Sequence, residues 1–284
     1  IWPSGSSAQW IDQLPNGFRR DILWRADHEE GTLADWTYPS FRFPGGGIFN
    51  TGGADVSAWA FPGLAHSGNF SARADIQNAI RAQNGPRAVR LMRWTDRPWD
   101  DQGNYFPKLA YYSTWMYMPR VYNPNKYPPW DPGDGGWWNV FQFKADDLSG
   151  LSQPMWSLNV GHDDSNGKMF FYLYSPVEPP HGFGQQRRFI PVAQWFHVEA
   201  LYVVSATGHG RIAIWQDGQK ILDVRRAQTA LFRANQGEHA VWGLGNYTNH
   251  INSSAGIGRA TIYFDDAMVS RRRVSSIQAS GIGR

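Results

Sequence analysis

Short runs in which apolar and polar residues alternate recur along this chain, cut by Gly, Pro, Asn and Asp. The run 70–76 sets Phe70, Ala72, Ala74 and Ile76 against Ser71, Arg73 and Asp75. A period of two sends successive side chains to opposite faces, so the run predicts a strand with one buried side. The same reading predicts strands over 88–94, 109–118, 137–144, 155–160, 169–174, 195–204, 211–216, 221–224, 241–247 and 261–270. Asp163-Asp164-Ser165-Asn166-Gly167 reads as a hairpin turn, and Asp217-Gly218 as a type I′ hairpin. The stretches 122–136 and 176–188 read as long surface loops. A helical period is hard to find, although 57–59 and 229–234 are compatible with single turns. Short strands without helices predict two stacked antiparallel sheets. The chain shows no internal repeat: 1–17 is expected as a polar N-terminal arm and 18–284 as one domain.

The stretch 137–144 is the most informative. Read with a period of two, Trp138, Val140, Gln142 and Lys144 share one face, and Trp137, Phe141 and Phe143 share the other, with Asn139 near its start. An amide and an ammonium flanked by tryptophan suit an acidic, ring-shaped ligand such as a uronic-acid polymer; a solvated outer strand face has the same pattern. In the next strands Trp156, Leu158 and Val160 oppose Ser157 and Asn159, and Phe171 and Leu173 oppose Tyr172 and Tyr174. If the apolar sets form one core, Trp138, Gln142, Lys144, Ser157, Asn159, Tyr172 and Tyr174 line one open groove. Taken singly, Tyr172 and Tyr174 also fit half-buried sheet tyrosines.

Composition narrows the choice. Of 284 residues, 42% are hydrophobic and 15% aromatic, which with Gly 30 and Pro 18 suits a sandwich or barrel. The absence of cysteine excludes disulfides, zinc–thiolate sites and cysteine nucleophiles. The net charge of +3 is too small and scattered to argue for nucleic acid, and it is compatible with an acidic glycan. No apolar run approaches the roughly 20 residues of a membrane span, so no membrane is expected as a partner. The chain starts at Ile1, which raises the expectation of a cleaved secretion signal and an extracellular location. A monomer is expected.

Several segments resemble a known group. Asp27-His28-Glu29-Glu30-Gly31-Thr32-Leu33-Ala34-Asp35-Trp36 resembles the opening of concanavalin-like jelly rolls, and Tyr263-Phe264-Asp265-Asp266 resembles their closing strand. Ala65-His66-Ser67-Gly68-Asn69-Phe70 resembles the turn before an early strand, and Trp195-Phe196-His197-Val198-Glu199 with Trp215-Gln216-Asp217-Gly218 resembles a later hairpin. Together they are similar to polysaccharide lyases of the heparin lyase I and glucuronan lyase type, over about residues 27–270. The resemblance implies an all-β, concanavalin-like jelly-roll β-sandwich of two antiparallel sheets with a concave groove. It matches Gln142 to a groove glutamine, Tyr247 to a late-strand tyrosine and His66 to a histidine near the first groove strand. Gly243 stands where the group has lysine, with Lys144 as the candidate substitute. It also implies a structural calcium held by Glu29 and Asp265.

A uronate lyase must neutralise the carboxylate, remove the proton beside it and expel the 4-linked sugar. Gln142 is the candidate neutraliser and Tyr247 the proton carrier, with His66, Lys144 and Tyr172 assisting. Trp138, Asn159, Tyr174, Arg73 and Arg93 are candidate substrate contacts, and Lys144, Arg73 and Arg93 are the cations available to favour a phenolate. A non-catalytic carbohydrate-binding protein is the alternative. A glycoside hydrolase is a distant third, because paired carboxylates at strand spacing are scarce.

Overall fold

The computed structural model describes residues 12, 14, 16–39, 44–80, 85–124, 136–146, 152–184, 188–233 and 237–274. Most of the expected arm over 1–17, most of the 122–136 loop and part of the 176–188 loop lie outside these residues. A one-turn helix α1 (Asn16–Arg19) leads into β1 (Ile22–Ala26), β2 (Gly46–Thr51), β3 (Val56–Pro62), β4 (Phe70–Ile76), β5 (Arg87–Trp94) and β6 (Leu109–Tyr117). There follow β7 (Tyr122–Asn123), β8 (Trp138–Asp146), β9 (Ser152–Asp163), β10 (Lys168–Tyr174), β11 (Gly182–Phe183), β12 (Trp195–Val203) and β13 (Gly210–Gln216). The chain closes with β14 (Gln219–Ala227), β15 (Leu231–Arg233), β16 (Gly237–His239), β17 (Val241–Thr248), β18 (Asn252–Ser253) and β19 (Ala260–Ser270).

Two antiparallel sheets result. The first has eight strands in the order β14-β13-β12-β6-β19-β4-β3, with β1 pairing β19 beside this path. The second has seven, in the order β11-β10-β9-β8-β17-β5-β2. β15–β16 and β18–β7 form separate two-stranded pairs. This is the expected jelly-roll β-sandwich.

Alternation explains the layering. Met169, Phe171 and Leu173 of β10 and Trp156, Leu158 and Val160 of β9 are buried, and they meet apolar residues of the first sheet. Tyr202 of β12 stacks on Phe143 of β8 with ring centroids 3.6 Å apart, and Tyr112 of β6 meets Phe143 edge-on at 5.1 Å. A polar tie crosses the same core: Trp138 Nε1 donates to Asn246 Oδ1 at 2.9 Å, and Asn246 Nδ2 donates to the carbonyls of Ala74 and Ala260 at 3.0 and 2.9 Å. Buried amides persist where every group is bonded, as here.

The strands at 22–26 and 46–51 are absent from the sequence reading, and 57–59, read as a helical turn, lies inside β3. Polar and small residues (Gly46, Gly47, Asn50, Ser57) blur the period in these strands. The segment 229–234 contains β15 and no helix among its described residues.

Candidate active site on the second sheet

The outward face of the second sheet holds a hollow of about 600 Å³. Its floor follows from register. One cross-strand row runs Tyr172–Asn159–Asn139–Tyr247 over β10, β9, β8 and β17. A second runs Tyr174–Ser157–Gln142–Gly243–Met92 from β10 to β5. Gln142, Asn139, Ser157 and Asn159 are all but covered at 2–6% exposure, whereas Lys144, Tyr172 and Tyr247 are half-buried and Tyr174 is exposed. Gln142, Lys144, Asn159, Tyr172, Tyr174 and Tyr247 thus line one hollow.

Trp138 does not join them. The β8–β9 register shifts between Asn139 and Phe141, and the consecutive residues Val140 and Phe141 are both buried. An extra residue in one strand reverses the facing of everything beyond it. Gln142 and Lys144 therefore share the outward face with Asn139 and Trp137, while Trp138 is fully buried. Trp137 lines the hollow where Trp138 was expected, and its ring meets Tyr247 edge-on with centroids 4.5 Å apart.

Arg93 is also misplaced by the sequence reading. It shares the inward face of β5 with Val89 and Leu91, is 1% exposed, and lies over Trp24 at 4.8 Å. Its Nη1 donates to the carbonyls of Trp36 and Tyr38, and burial lowers its pKa to about 9. The groove cation of β5 is Arg90, whose guanidinium sits 5.1 Å from the centre of the Tyr247 ring. Arg90 donates to Thr51 Oγ1 at 2.5 Å. Burial lowers the pKa of Arg90, and the Tyr247 phenol opposes that shift. Counting by twos from Val89 and Leu91 lands on Arg93 and leaves Arg90 on the outward face.

His66 and Arg73 belong to the first sheet, across the core from this hollow. His66 Nδ1 pairs with Asp266 Oδ2 at 2.7 Å, and its ring stacks on Trp115 of β6 at 3.7 Å. Arg73 of β4 is held by Asp75 and lies over Trp59 at 4.9 Å. Neither lines the groove.

Within the hollow, Gln142 Nε2 points at Met92 Sδ, 3.7 Å away. Met92 fills the space over Gly243, where an added Cβ would come within 2.1 Å of its sulfur. The position at which related lyases were expected to carry lysine is thus occupied by a neighbour's thioether. Tyr172 is bonded to Asn159, and burial is the larger influence, raising its pKa. Among the described residues lining the hollow, Lys144 and Arg90 bear positive charge and no carboxylate is present.

The residues proposed for calcium do not fit it. Both Glu29 oxygens accept from Asn69 N at 2.9 Å, and Oε1 also accepts from Phe70 N at 2.9 Å. Asp265 Oδ2 accepts from His66 N at 2.7 Å and Ser67 N at 3.2 Å, while Oδ1 accepts from Asp266 N at 2.8 Å. Calcium takes six to eight oxygens whose lone pairs face it. These lone pairs face N–H donors, and no group of three or more acidic, histidine or cysteine residues suited to a metal occurs among the described residues. The motif is instead a clasp. Gly68, at φ +65°, leaves room for the Glu29 carboxylate, whose Cδ would lie 2.3 Å from a Cβ there.

Comparison with known proteins gives a fold and no family. No family model matches the chain, and no curated protein matches it by sequence. Solved structures do. An endo-β-1,4-glucuronan lyase from the fungus Trichoderma reesei superposes with a TM-score of 0.56 at 13% identity, over 88% of this chain and 96% of that one. A substituted form of the alginate lyase Aly36B, in complex with alginate trisaccharide, superposes with a TM-score of 0.54 at 13% identity, over 88% and 98%. At this identity the likeness shows the shared fold.

Proposed function

We propose that the chain is a polysaccharide lyase that cleaves a uronic-acid-containing glycan by β-elimination in the second-sheet hollow. The observation that carries this reading is the grouping of a phenol, an amide and two cations, from Tyr247, Gln142, Arg90 and Lys144, in a hollow whose described lining has no carboxylate. A glycosidase needs two carboxylates flanking the scissile bond. A lyase needs hydrogen-bond donors for the substrate carboxylate and one group that moves a proton. Structural likeness to enzymes named for glucuronan and alginate supports a polyuronate as substrate.

In this reading the uronate ring lies over Gln142 with its carboxylate toward the amide. A thioether is a weak acceptor, so the N–H aimed at Met92 is easily transferred to a carboxylate oxygen. Lys144 adds positive charge to the same face. The Tyr247 oxygen removes the proton on C5, the C4–O4 bond breaks, a C4=C5 double bond forms, and the phenol returns its proton to the leaving O4. Arg90, 5.1 Å from the centre of the Tyr247 ring, adds a second positive charge beside the reacting carbon. Tyr172, Tyr174 and Asn159 contact neighbouring sugar units.

A carbohydrate-binding role without catalysis is the second reading, favoured by one observation: Met92 occupies the space above Gly243 where a lysine was expected. Incubation with polyglucuronate and alginate separates the two. The expected result is a rising ultraviolet absorbance from the unsaturated product. Tyr247→Phe should lower the rate by about 10²–10⁴ while binding survives. Binding without absorbance in the unaltered protein refutes the lyase reading.

A further inference from the structure

The outer face of the first sheet, across the core from the hollow, carries a second ordered array. Register places Trp59, Arg73, Tyr263, Tyr117 and Trp195 in one straight row across β3, β4, β19, β6 and β12. The side chains touch in sequence. Arg73 lies over Trp59 at 4.9 Å and over Tyr263 at 5.6 Å. Tyr263 meets Tyr117 at 5.8 Å, and Tyr117 meets Trp195 at 5.4 Å. Four strand spacings of ~4.8 Å make the row about 19 Å long. Each spacing is close to the length of one pyranose unit in an extended glycan chain. Trp59 is 38% exposed and the Arg73 side chain 28%, Tyr117 and Trp195 are half-buried, and Tyr263 forms a buried floor between them at 8%.

Beside the row, on the Asp75 side of Arg73, lies a hollow of about 360 Å³ that also takes in Arg120 and Arg259. Its carboxylates are already engaged: Asp75 holds Arg73 with bonds of 2.7 and 3.2 Å, and Asp55 holds Arg87 at 2.9 Å. Among the described residues Arg120 and Arg259 pair with no carboxylate; Arg120 donates to Ser254 Oγ at 3.4 Å, and Arg259 is exposed. The charge left for a visitor is positive. Aromatic rings stack on sugar faces, and guanidinium forks match carboxylates.

We infer that this outer face is a second binding surface for an acidic polysaccharide, in which the aromatic row follows the chain and Arg120 and Arg259 take its carboxylates. It goes beyond the elimination reading and uses none of its residues. The surface tethers the enzyme to polymer while the other sheet works on a chain end or a neighbouring strand.

Affinity electrophoresis in gels containing alginate, polyglucuronate or neutral xylan tests it. The combined Arg120→Glu and Arg259→Glu variant reverses charge at one half-buried and one exposed side chain; Trp59→Ala, at an exposed ring, is the second variant. Each should weaken retardation by a polyuronate about tenfold and leave turnover of a tetrauronide unchanged. Tyr247→Phe should keep full retardation. Wild-type retardation in both variants, equal retardation by xylan, or no retardation by either polyuronate overturns the inference. So does loss of retardation that accompanies a dimer-to-monomer shift in light scattering, which marks the face as an interface between copies. If the wild type eliminates no polyuronate yet its retardation depends on Trp59 and the arginines, the elimination reading falls and this one stands.

Discussion

Gln142 is the residue on which the chemistry of the hollow turns, because its amide is both buried and underused. At 2% exposure its one acceptor among the described residues is a thioether 3.7 Å away. An amide held ready for a stronger acceptor stabilises charge that develops there, and loss of one such donor costs about 10²–10³ in rate. Gln142→Ala should show that loss in kcat, and Gln142→Glu a larger one, since a carboxylate repels the substrate's own. Equal rates in all three proteins would remove Gln142 from the mechanism. Arg90 makes a different prediction. With its guanidinium 5.1 Å from the Tyr247 ring, Arg90→Ala withdraws one of the two positive charges lining the hollow. The KM for a polyuronate should rise at low salt and the difference from the parent should shrink at high salt, whereas a purely structural role for Arg90 would lower the rate evenly at every ionic strength.

At the scale of strands, β5 and β17 approach closely because Gly243 and Gly245 carry no side chain. A Cβ at Gly243 would lie 2.1 Å from Met92 Sδ and 2.9 Å from the Leu91 carbonyl; one at Gly245 would lie 2.8 Å from the Val89 carbonyl. The thioether can swing aside and the carbonyls cannot. Gly243→Lys, which installs the residue expected at that position, should therefore destabilise the protein by about 1–3 kcal/mol in urea unfolding, as overpacking does. Adding Met92→Ala should restore part of the loss and leave the Leu91 share. Full restoration would show that the backbone there yields. The same strands mark what the sequence discloses. The alternation in 70–76 and 169–174 is clean, and both strands lie where the period places them. Gln142 and Lys144 were assigned to an outward face correctly, but carrying that phase back to Trp138 crossed the shift between Asn139 and Phe141. A bulge leaves no mark in a binary pattern. Arg93 was named for its charge alone, and the phase it shares with Val89 and Leu91 turns it inward. His66 was matched through a loop motif, and loops do not encode which sheet they border.

Across the whole molecule, buried ionisable groups set how the sandwich responds to acid. His28 is fully buried against Trp36, whose Nε1 donates to its Nε2 at 3.2 Å, and burial lowers its pKa to about 3. His197, packed on Trp115 at 5.2 Å, is lowered to about 3 by burial first and by His66 second. Both imidazoles are neutral in the fold and bind a proton near pH 6.5 once unfolded. Their contribution is complete above about 6.5 and is lost as pH falls from there toward 3, at about 1.4 kcal/mol per pH unit for each. Asp265 opposes them. Burial first, and then Asp266, raises its pKa well above the carboxylate range, so its protonated form favours the fold and its contribution is lost as pH rises. Asp35, raised by burial, acts in the same sense as Asp265, but the two histidines together carry the larger effect, so acidification between about 6.5 and 4 lowers stability. Urea unfolding at pH 7.0, 5.5 and 4.5 should therefore show a midpoint that falls at each step. His197→Gln should be less stable than the parent at pH 7.0 and should lose less on acidification, because one of the two proton-uptake sites is gone. A midpoint that stays level across this range, or a variant whose decline parallels the parent's, would mean that water or a structural opening reaches these imidazoles in the folded state.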